Sequence, residues 1–171
     1  FQDIRFRQAL SLSINRDEIN ELIYFGEATP RQAAILPEVS FYKKEWGSAF
    51  AQYNKEKAIR LLDEMGLKRD SDGNLLRPDG KKLSAIINVA EAEGSQVKVS
   101  ELVSQYWAEI GFTGVVKPVA QNLLREMRTS NGGEIIVFHL DRCGEAFGVR
   151  GNPFWQCPCE STFWQARAWA L

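Results

Sequence analysis

The spacing of apolar residues predicts a helix close to the start of the chain. Ile4, Phe6, Ala9, Leu10 and Ile14 approximate one helical face, and Asp3 stands where an N-cap acceptor is needed. That helix is expected to stop near Ser13–Asn15. Asn15-Arg16-Asp17-Glu18 then has the capping-box form, with an acceptor at the cap and a carboxylate placed to reach back. A second helix follows, apolar along Ile19, Leu22 and Ile23, and Gly26 is positioned to take the left-handed turn that ends it. From Glu27 to Tyr53 no period holds and Pro30 and Pro37 interrupt the chain, so extended, packed loop is expected. Asn54-Lys55-Glu56-Lys57 opens a third helix with Ala58, Leu61, Leu62 and Met65 on one face, closed by Gly66 and covered by Leu67.

Beyond this point strands and helices alternate. Asp70–Gly73 and Pro78-Asp79-Gly80 are turn signals flanking Leu75-Leu76, which predicts a hairpin, and Leu83–Val89 is a β-rich run. Ser95 is expected to open a helix bearing Val99, Leu102, Val103, Tyr106 and Ile110, ended by Gly111 and followed by a strand over Phe112–Val119. Asn122 caps a shorter helix with Leu123, Leu124 and Met127, and Asn131-Gly132-Gly133 leads into a buried strand over Glu134–Leu140. Helical crossovers join parallel neighbours, and the hairpin adds an antiparallel edge. The expected fold is therefore α/β, a mixed sheet built from β-α-β-α-β plus an edge hairpin, preceded by an N-terminal helical segment. Residues 1–171 are read as a single domain: 1–67 helical and loop, 68–140 the α/β core, and 141–171 a loop-rich tail carrying aromatic residues.

Composition narrows the function. Hydrophobic residues at 44% and charged residues at 25% suit a folded chain with a real core. Lys plus Arg (21) nearly cancels Asp plus Glu (22), so the basic excess needed to neutralise a phosphate backbone is missing and nucleic acid is not an expected partner. No apolar run approaches the ~20 residues of a membrane-spanning helix, and the chain is expected to be soluble. Phe1 stands in place of a start methionine, with no signal-peptide apolar region ahead of the first helix, and an excised segment is expected.

The traces of catalytic chemistry are poor. His139 is the one histidine, and neither a Gly-x-Ser-x-Gly elbow, a His-Glu-x-x-His pair nor a Gly-Lys-Ser/Thr phosphate loop occurs. A carboxylate pair assembled in space leaves no such trace, so a hydrolase domain stands as an alternative. Asp70, Asp72 and Asn74 resemble the start of a calcium loop, but Leu75 and Lys81 occupy the positions that need Gly and Glu. His139, Cys143, Cys157 and Cys159 form a permissible zinc set for a small interaction module, although Cys-x-Cys is tighter than the usual ligand spacing. The other reading of these thiols is a disulfide from Cys143 to Cys157 or Cys159. No metal or cofactor is expected. Phe154, Trp155, Phe163, Trp164 and Trp169 either pack beneath a partner surface or, with Trp155 foremost, stack on a peptide or sugar.

The run from Asp3-Ile4-Arg5-Phe6-Arg7-Gln8-Ala9-Leu10-Ser11 to Ile14-Asn15-Arg16-Asp17-Glu18-Ile19 resembles the "VRQALSYAIDRDEI" signature of bacterial extracellular solute-binding proteins of family 5. These are the dipeptide, oligopeptide and nickel receptors of ABC transporters. Later landmarks follow in the family's order: Gly26, Ala28 and Pro30, then Tyr53-Asn54-Lys55-Glu56-Lys57-Ala58, Met65-Gly66-Leu67, Pro78-Asp79-Gly80-Lys81 and Ile110-Gly111-Phe112. The resemblance covers most of the chain. It implies one lobe of a two-lobed periplasmic-binding-protein-like fold, the second lobe, which closes with a first lobe over a peptide or oligosaccharide and passes it to an ABC transporter permease outside the cytoplasm, in the periplasm or on a lipid anchor.

Where the family writes "W-x-A/G-D-Y-x-D-P", this chain has Phe138-His139-Leu140-Asp141-Arg142. The resemblance implies that Asp141, which occupies the place of an acid able to meet a peptide's amino group, contacts ligand together with its neighbours His139 and Arg142. Phe in place of Trp and Arg in place of Tyr depart from the pattern, and a turn residue ending the strand is the competing reading of Asp141.

Overall fold

The computed structural model describes residues 2–32 and 42–137, with Pro37 and Ser40 between them. Helix α1 (Ile4–Leu12) begins as its cap predicts. The Asp3 carboxylate accepts the Arg5 backbone N–H at 2.8 Å and pairs with the Arg5 guanidinium at 2.7 Å. Helix α2 (Arg16–Tyr24) starts with Asn15 Oδ1 accepting the Glu18 N–H at 3.2 Å, while Asn15 Nδ2 donates to the Glu18 carboxylate at 3.1 Å. The box thus closes from side chain to side chain. At the other end of α2 the left-handed conformation falls on Phe25 (φ 54°) before it falls on Gly26 (φ 80°).

The aperiodic stretch after α2 is tied down by Ser11 and Arg16. The Arg16 guanidinium donates to the Ser11 carbonyl (2.9 Å), the Ala51 carbonyl (3.0 Å) and Ser11 Oγ (2.9 Å). Ser11 Oγ in turn donates to the Phe50 carbonyl at 2.8 Å and accepts from Gln32 Nε2 at 3.2 Å. Burial among these groups pulls the Arg16 pKa down, because desolvation disfavours the charged form. Within this stretch lies a short helix, α3 (Lys44–Ser48), where only loop was expected. Five residues are too few to show an apolar period, and Lys43 provides no side-chain cap. Helix α4 (Lys55–Glu64) is capped by Asn54, whose Oδ1 accepts the Lys57 N–H at 2.8 Å, and it buries Ala58 and Leu62 against α1.

Strands β1 (Ser84–Ala90), β2 (Thr113–Val119) and β3 (Ile135–Ile136) form a sheet of order β2-β1-β3. Helix α5 (Gly94–Glu109) joins β1 to β2, and α6 (Gln121–Ser130) joins β2 to β3. Both pairings are parallel, with Ser84 opposite Thr113 through Ala90 opposite Val119, and Ile87 and Asn88 opposite Ile135 and Ile136. The Val137 N–H continues the second ladder to the Asn88 carbonyl at 2.9 Å, and Glu134 Oε2 accepts the Ile86 N–H at 2.7 Å where β3 does not reach. Of the strand expected over Glu134–Leu140, residues 138–140 lie outside the described residues.

The α/β class stands, but the edge hairpin is smaller than expected. Its antiparallel content is two isolated bridges, Arg69 to Leu75 and Leu76 to Lys82, and the sheet itself is parallel throughout the described residues. The reason is length. The Asp70 turn, in which Oδ1 accepts the Asp72 and Asn74 N–H groups, and the Arg77–Gly80 turn leave only Leu75-Leu76 between them. Leu75 donates to the Gly111 carbonyl (2.8 Å) and accepts from Leu83 (2.7 Å), so its backbone is engaged by neighbouring loops instead of a ladder.

One core joins the helical and sheet segments. Phe6, Leu10 and Leu12 of α1 and Ala58 and Leu62 of α4 cluster with Leu75, Ala85, Ile87, Trp107, Ile110 and Phe112. Trp107 Nε1–H donates to the Leu10 carbonyl at 3.1 Å, so the indole's polar edge is satisfied inside the core. A smaller cluster of Ala90, Val119 and Leu124, with Ile136 against it, lies on the opposite face of the sheet under α6. Alternation along β1 explains the split, since Ala85 and Ile87 point one way and Ala90 the other.

Candidate binding edge of the sheet

The topology singles out one edge. From β1 the chain crosses over α5 to β2 on one side, then returns over α6 across β1 to β3 on the other. The winding direction therefore reverses between β1 and β3. In open α/β sheets the crevice beyond the carboxyl ends of strands at such a reversal is where ligands bind, because the two connections leave it uncovered.

Three connections meet at this edge. β1 runs out through Glu91, Ala92 and Glu93 into α5, β2 through Ala120 into α6, and β3 through Val137. The Glu91 N–H donates to the Val119 carbonyl at 3.0 Å, which ties the first two exits together. Glu93 and Ala120 hold the cap positions of α5 and α6, and neither supplies a side-chain cap. The first-turn N–H groups of both helices thus lie at this edge without a side-chain cap. Gln121 Oε1, at the start of α6, is buried without a hydrogen-bond partner among the described residues.

Sequence reasoning does not single out Glu91, Glu93 or Gln121. The available signal is the end of each β-rich run, where a strand gives way to a helix. The residues that the sequence does single out, His139, Asp141, Arg142 and Trp155, lie outside the described residues, as do Cys143, Cys157 and Cys159. Among the described residues, no helix is long and apolar enough to cross a membrane.

The parallel sheet, with its winding reversal, is that of an open α/β lobe. Residues 1–140 match the family of bacterial extracellular solute-binding proteins, family 5 Middle. The chain belongs to that family. It is 24% identical over 167 residues to a probable ABC transporter-binding protein of Deinococcus radiodurans, with 92% of this chain and 27% of the relative covered. The oligopeptide-binding protein AppA of Bacillus subtilis is 27% identical over 114 residues, covering 65% of this chain and 20% of that protein. A solved structure of an oligopeptide-binding protein OppA superposes with a TM-score of 0.82 at 38% identity, covering 88% of this chain and 24% of that one. The chain therefore spans 27% or less of the length of each of these relatives.

Proposed function

We propose that this chain is the substrate-binding lobe of an extracytoplasmic receptor that delivers peptides to an ABC transporter and catalyses no reaction itself. The observation that carries this reading is the family match over residues 1–140 on a parallel sheet whose winding reverses between β1 and β3. Residues 1–171 act as one domain, and a first lobe of the same protein closes over the ligand. Peptide is favoured over oligosaccharide because relatives in both sequence and structure carry oligopeptide-binding names. Closure follows from ligand contacts made only in the shut state, which shift an open–closed equilibrium by their differential energy.

Asp141, with His139 and Arg142 beside it, is proposed to meet the ligand at this edge. It follows Val137 by four residues, a reach of about 14 Å at full extension. In the full-length receptor, Asp141→Ala is expected to weaken peptide binding by roughly 2–5 kcal/mol, the usual loss when one side of a buried charge pair is removed, with the melting temperature unchanged. Isothermal calorimetry and thermal melting read the two quantities separately. A turn-capping Asp141 gives the reverse pattern, a loss of about 1 kcal/mol in stability and none in affinity. Greater loss from Trp155→Ala than from Asp141→Ala would point to stacking on a sugar instead.

A further inference from the structure

The end of α6 carries a reactive pair of residues. Asn131-Gly132 is the one place in the sequence where glycine follows asparagine. An asparagine carboxamide is open to attack by the backbone nitrogen of the next residue, and glycine puts no side chain in the way. Asn131 ends the helix in the left-handed region (φ 55°, ψ 34°), which asparagine tolerates better than other residues bearing a Cβ. The turn therefore accepts the residue that brings the reactive group.

Two features of the folded turn keep the attacking nitrogen away. The Gly132 N–H donates to the Met127 carbonyl at 2.9 Å, and the Asn131 N–H goes to the same oxygen. With ψ at 34°, the Gly132 nitrogen and the Asn131 Cβ stand nearly opposite one another about the Cα–C bond, whereas closing a five-membered ring needs them nearly eclipsed. The turn itself is weakly held. The Thr129 and Ser130 hydroxyls donate back to the Glu126 carbonyl at 3.0 and 2.8 Å, a pattern that loosens a helix, and no residue from Thr129 to Gly132 is buried. Helix ends of this kind open at little cost.

We infer that Asn131 is a site of spontaneous deamidation, gated by opening of the last turn of α6. Once ψ rotates, the Gly132 nitrogen bonds to Asn131 Cγ, the Cγ–Nδ2 bond breaks, and ammonia leaves with the proton that the Gly132 nitrogen gives up. Water then opens the cyclic imide at either carbonyl, which leaves an aspartate or an isoaspartyl linkage. Both products put a carboxylate at the C-terminal end of α6, where the helix dipole opposes it. The isoaspartyl form also adds a methylene to the backbone just ahead of β3. That strand is held to β1 through Ile135 and Ile136, with the Glu134 carboxylate on the Ile86 N–H, so the extra length falls where few contacts fix the register.

The test ages the full-length protein at mildly alkaline pH and follows each asparagine by peptide mapping, with mass spectrometry that separates aspartyl from isoaspartyl products. Asn131 is expected to convert about tenfold or more faster than Asn15, Asn20, Asn54, Asn74, Asn88 or Asn122, because its neighbour is unhindered and its turn opens locally. Denaturant strong enough to unfold the chain should raise the Asn131 rate about tenfold or more, whereas denaturant too dilute to unfold it should leave the rate unchanged, since a local opening exposes little surface. Gly132→Ala should slow conversion in the folded and the denatured chain alike. Asn131→Gly keeps the left-handed turn and should hold its melting temperature on ageing while that of the wild type falls. Conversion of Asn131 no faster than that of the other asparagines overturns the inference, as does an equal rate in folded and denatured protein. Melting temperatures that change alike in wild type and Asn131→Gly overturn the effect on β3. None of these outcomes depends on what the protein binds, so the receptor reading is tested separately.

Discussion

Phe112→Ala is expected to lower the stability of the folded chain by about 3–5 kcal/mol, the usual cost of truncating a fully buried aromatic side chain. Phe112 is fully buried and makes edge contacts with Phe6 of α1 (ring centroids 5.3 Å apart, 85° between planes) and with Trp107 of α5 (5.5 Å, 64°). The ring is thus the point where the N-terminal helices and the sheet layer share a core. Removing it leaves a cavity bordered by both, close to the bond that Trp107 Nε1–H donates to the Leu10 carbonyl. Small domains hold only about 5–15 kcal/mol in total, so the variant should show a much lower urea midpoint. Phe112→Leu keeps most of the volume and should cost well under half as much. A loss below about 1 kcal/mol for Phe112→Ala would mean that the helical segment and the sheet do not share this core.

A similar loss is expected from a single added methyl. Gly111 ends α5 with φ 87°, where an L side chain costs about 1–2 kcal/mol. A Cβ there would also collide with the Gly73 carbonyl oxygen and Arg69 Nη1 and press on the Leu75 nitrogen. These atoms belong to one knot: Arg69 Nη1 donates to the Gly73 (3.0 Å) and Ile110 (2.9 Å) carbonyls, and the Leu75 N–H donates to the Gly111 carbonyl. Backbone cannot yield as a flexible side chain can, so overpacking adds about 1–3 kcal/mol, for a total near 3 kcal/mol or more. Gly66→Ala is the control, because Gly66 has φ 73° but nothing within 4 Å of a built Cβ. Thermal or urea unfolding should show Gly111→Ala losing at least twice as much as Gly66→Ala. Equal losses would leave only the conformational term and dissolve the knot as an explanation.

These two sites also mark how far the sequence can be read. Ile110-Gly111-Phe112 is legible as a helix end followed by a strand, because a glycine after an apolar helical face is a local signal. Asp3, Asn15 and Asn54 are legible as caps for the same reason: each acceptor meets an N–H two or three residues ahead. Helices α5 and α6 start one residue ahead of Ser95 and Asn122 because Glu93 and Ala120 provide no side-chain cap, so those helices begin where strands end and not where a cap residue stands. Phe25 is hidden in the sequence because the following glycine is the obvious left-handed residue, and nothing local shows that the residue before it turns first. The hairpin is overstated by its turn signals, which report turns but not whether enough chain separates them to form a ladder. Glu91, Glu93 and Gln121 come to one edge of the sheet only through the parallel pairing of β1 with β2, a long-range property that no local pattern states. Ser11 and Arg16, by contrast, are legible as part of a family signature, and the structure gives that signature a physical role in fastening Phe50 and Ala51 to the α1–α2 corner.

Binding of peptide without its transformation is the property that tests the proposed receptor function most directly. It is measured by calorimetry of the full-length protein, stripped of co-purified ligand by unfolding and refolding, titrated with defined peptides and with oligosaccharides, each mixture then analysed by mass spectrometry. The expected result is saturable binding of a peptide that is recovered intact, with a negative heat-capacity change as a closing cleft buries apolar surface. Cleavage of the peptide, or saturation by an oligosaccharide with no response to any peptide, would contradict it.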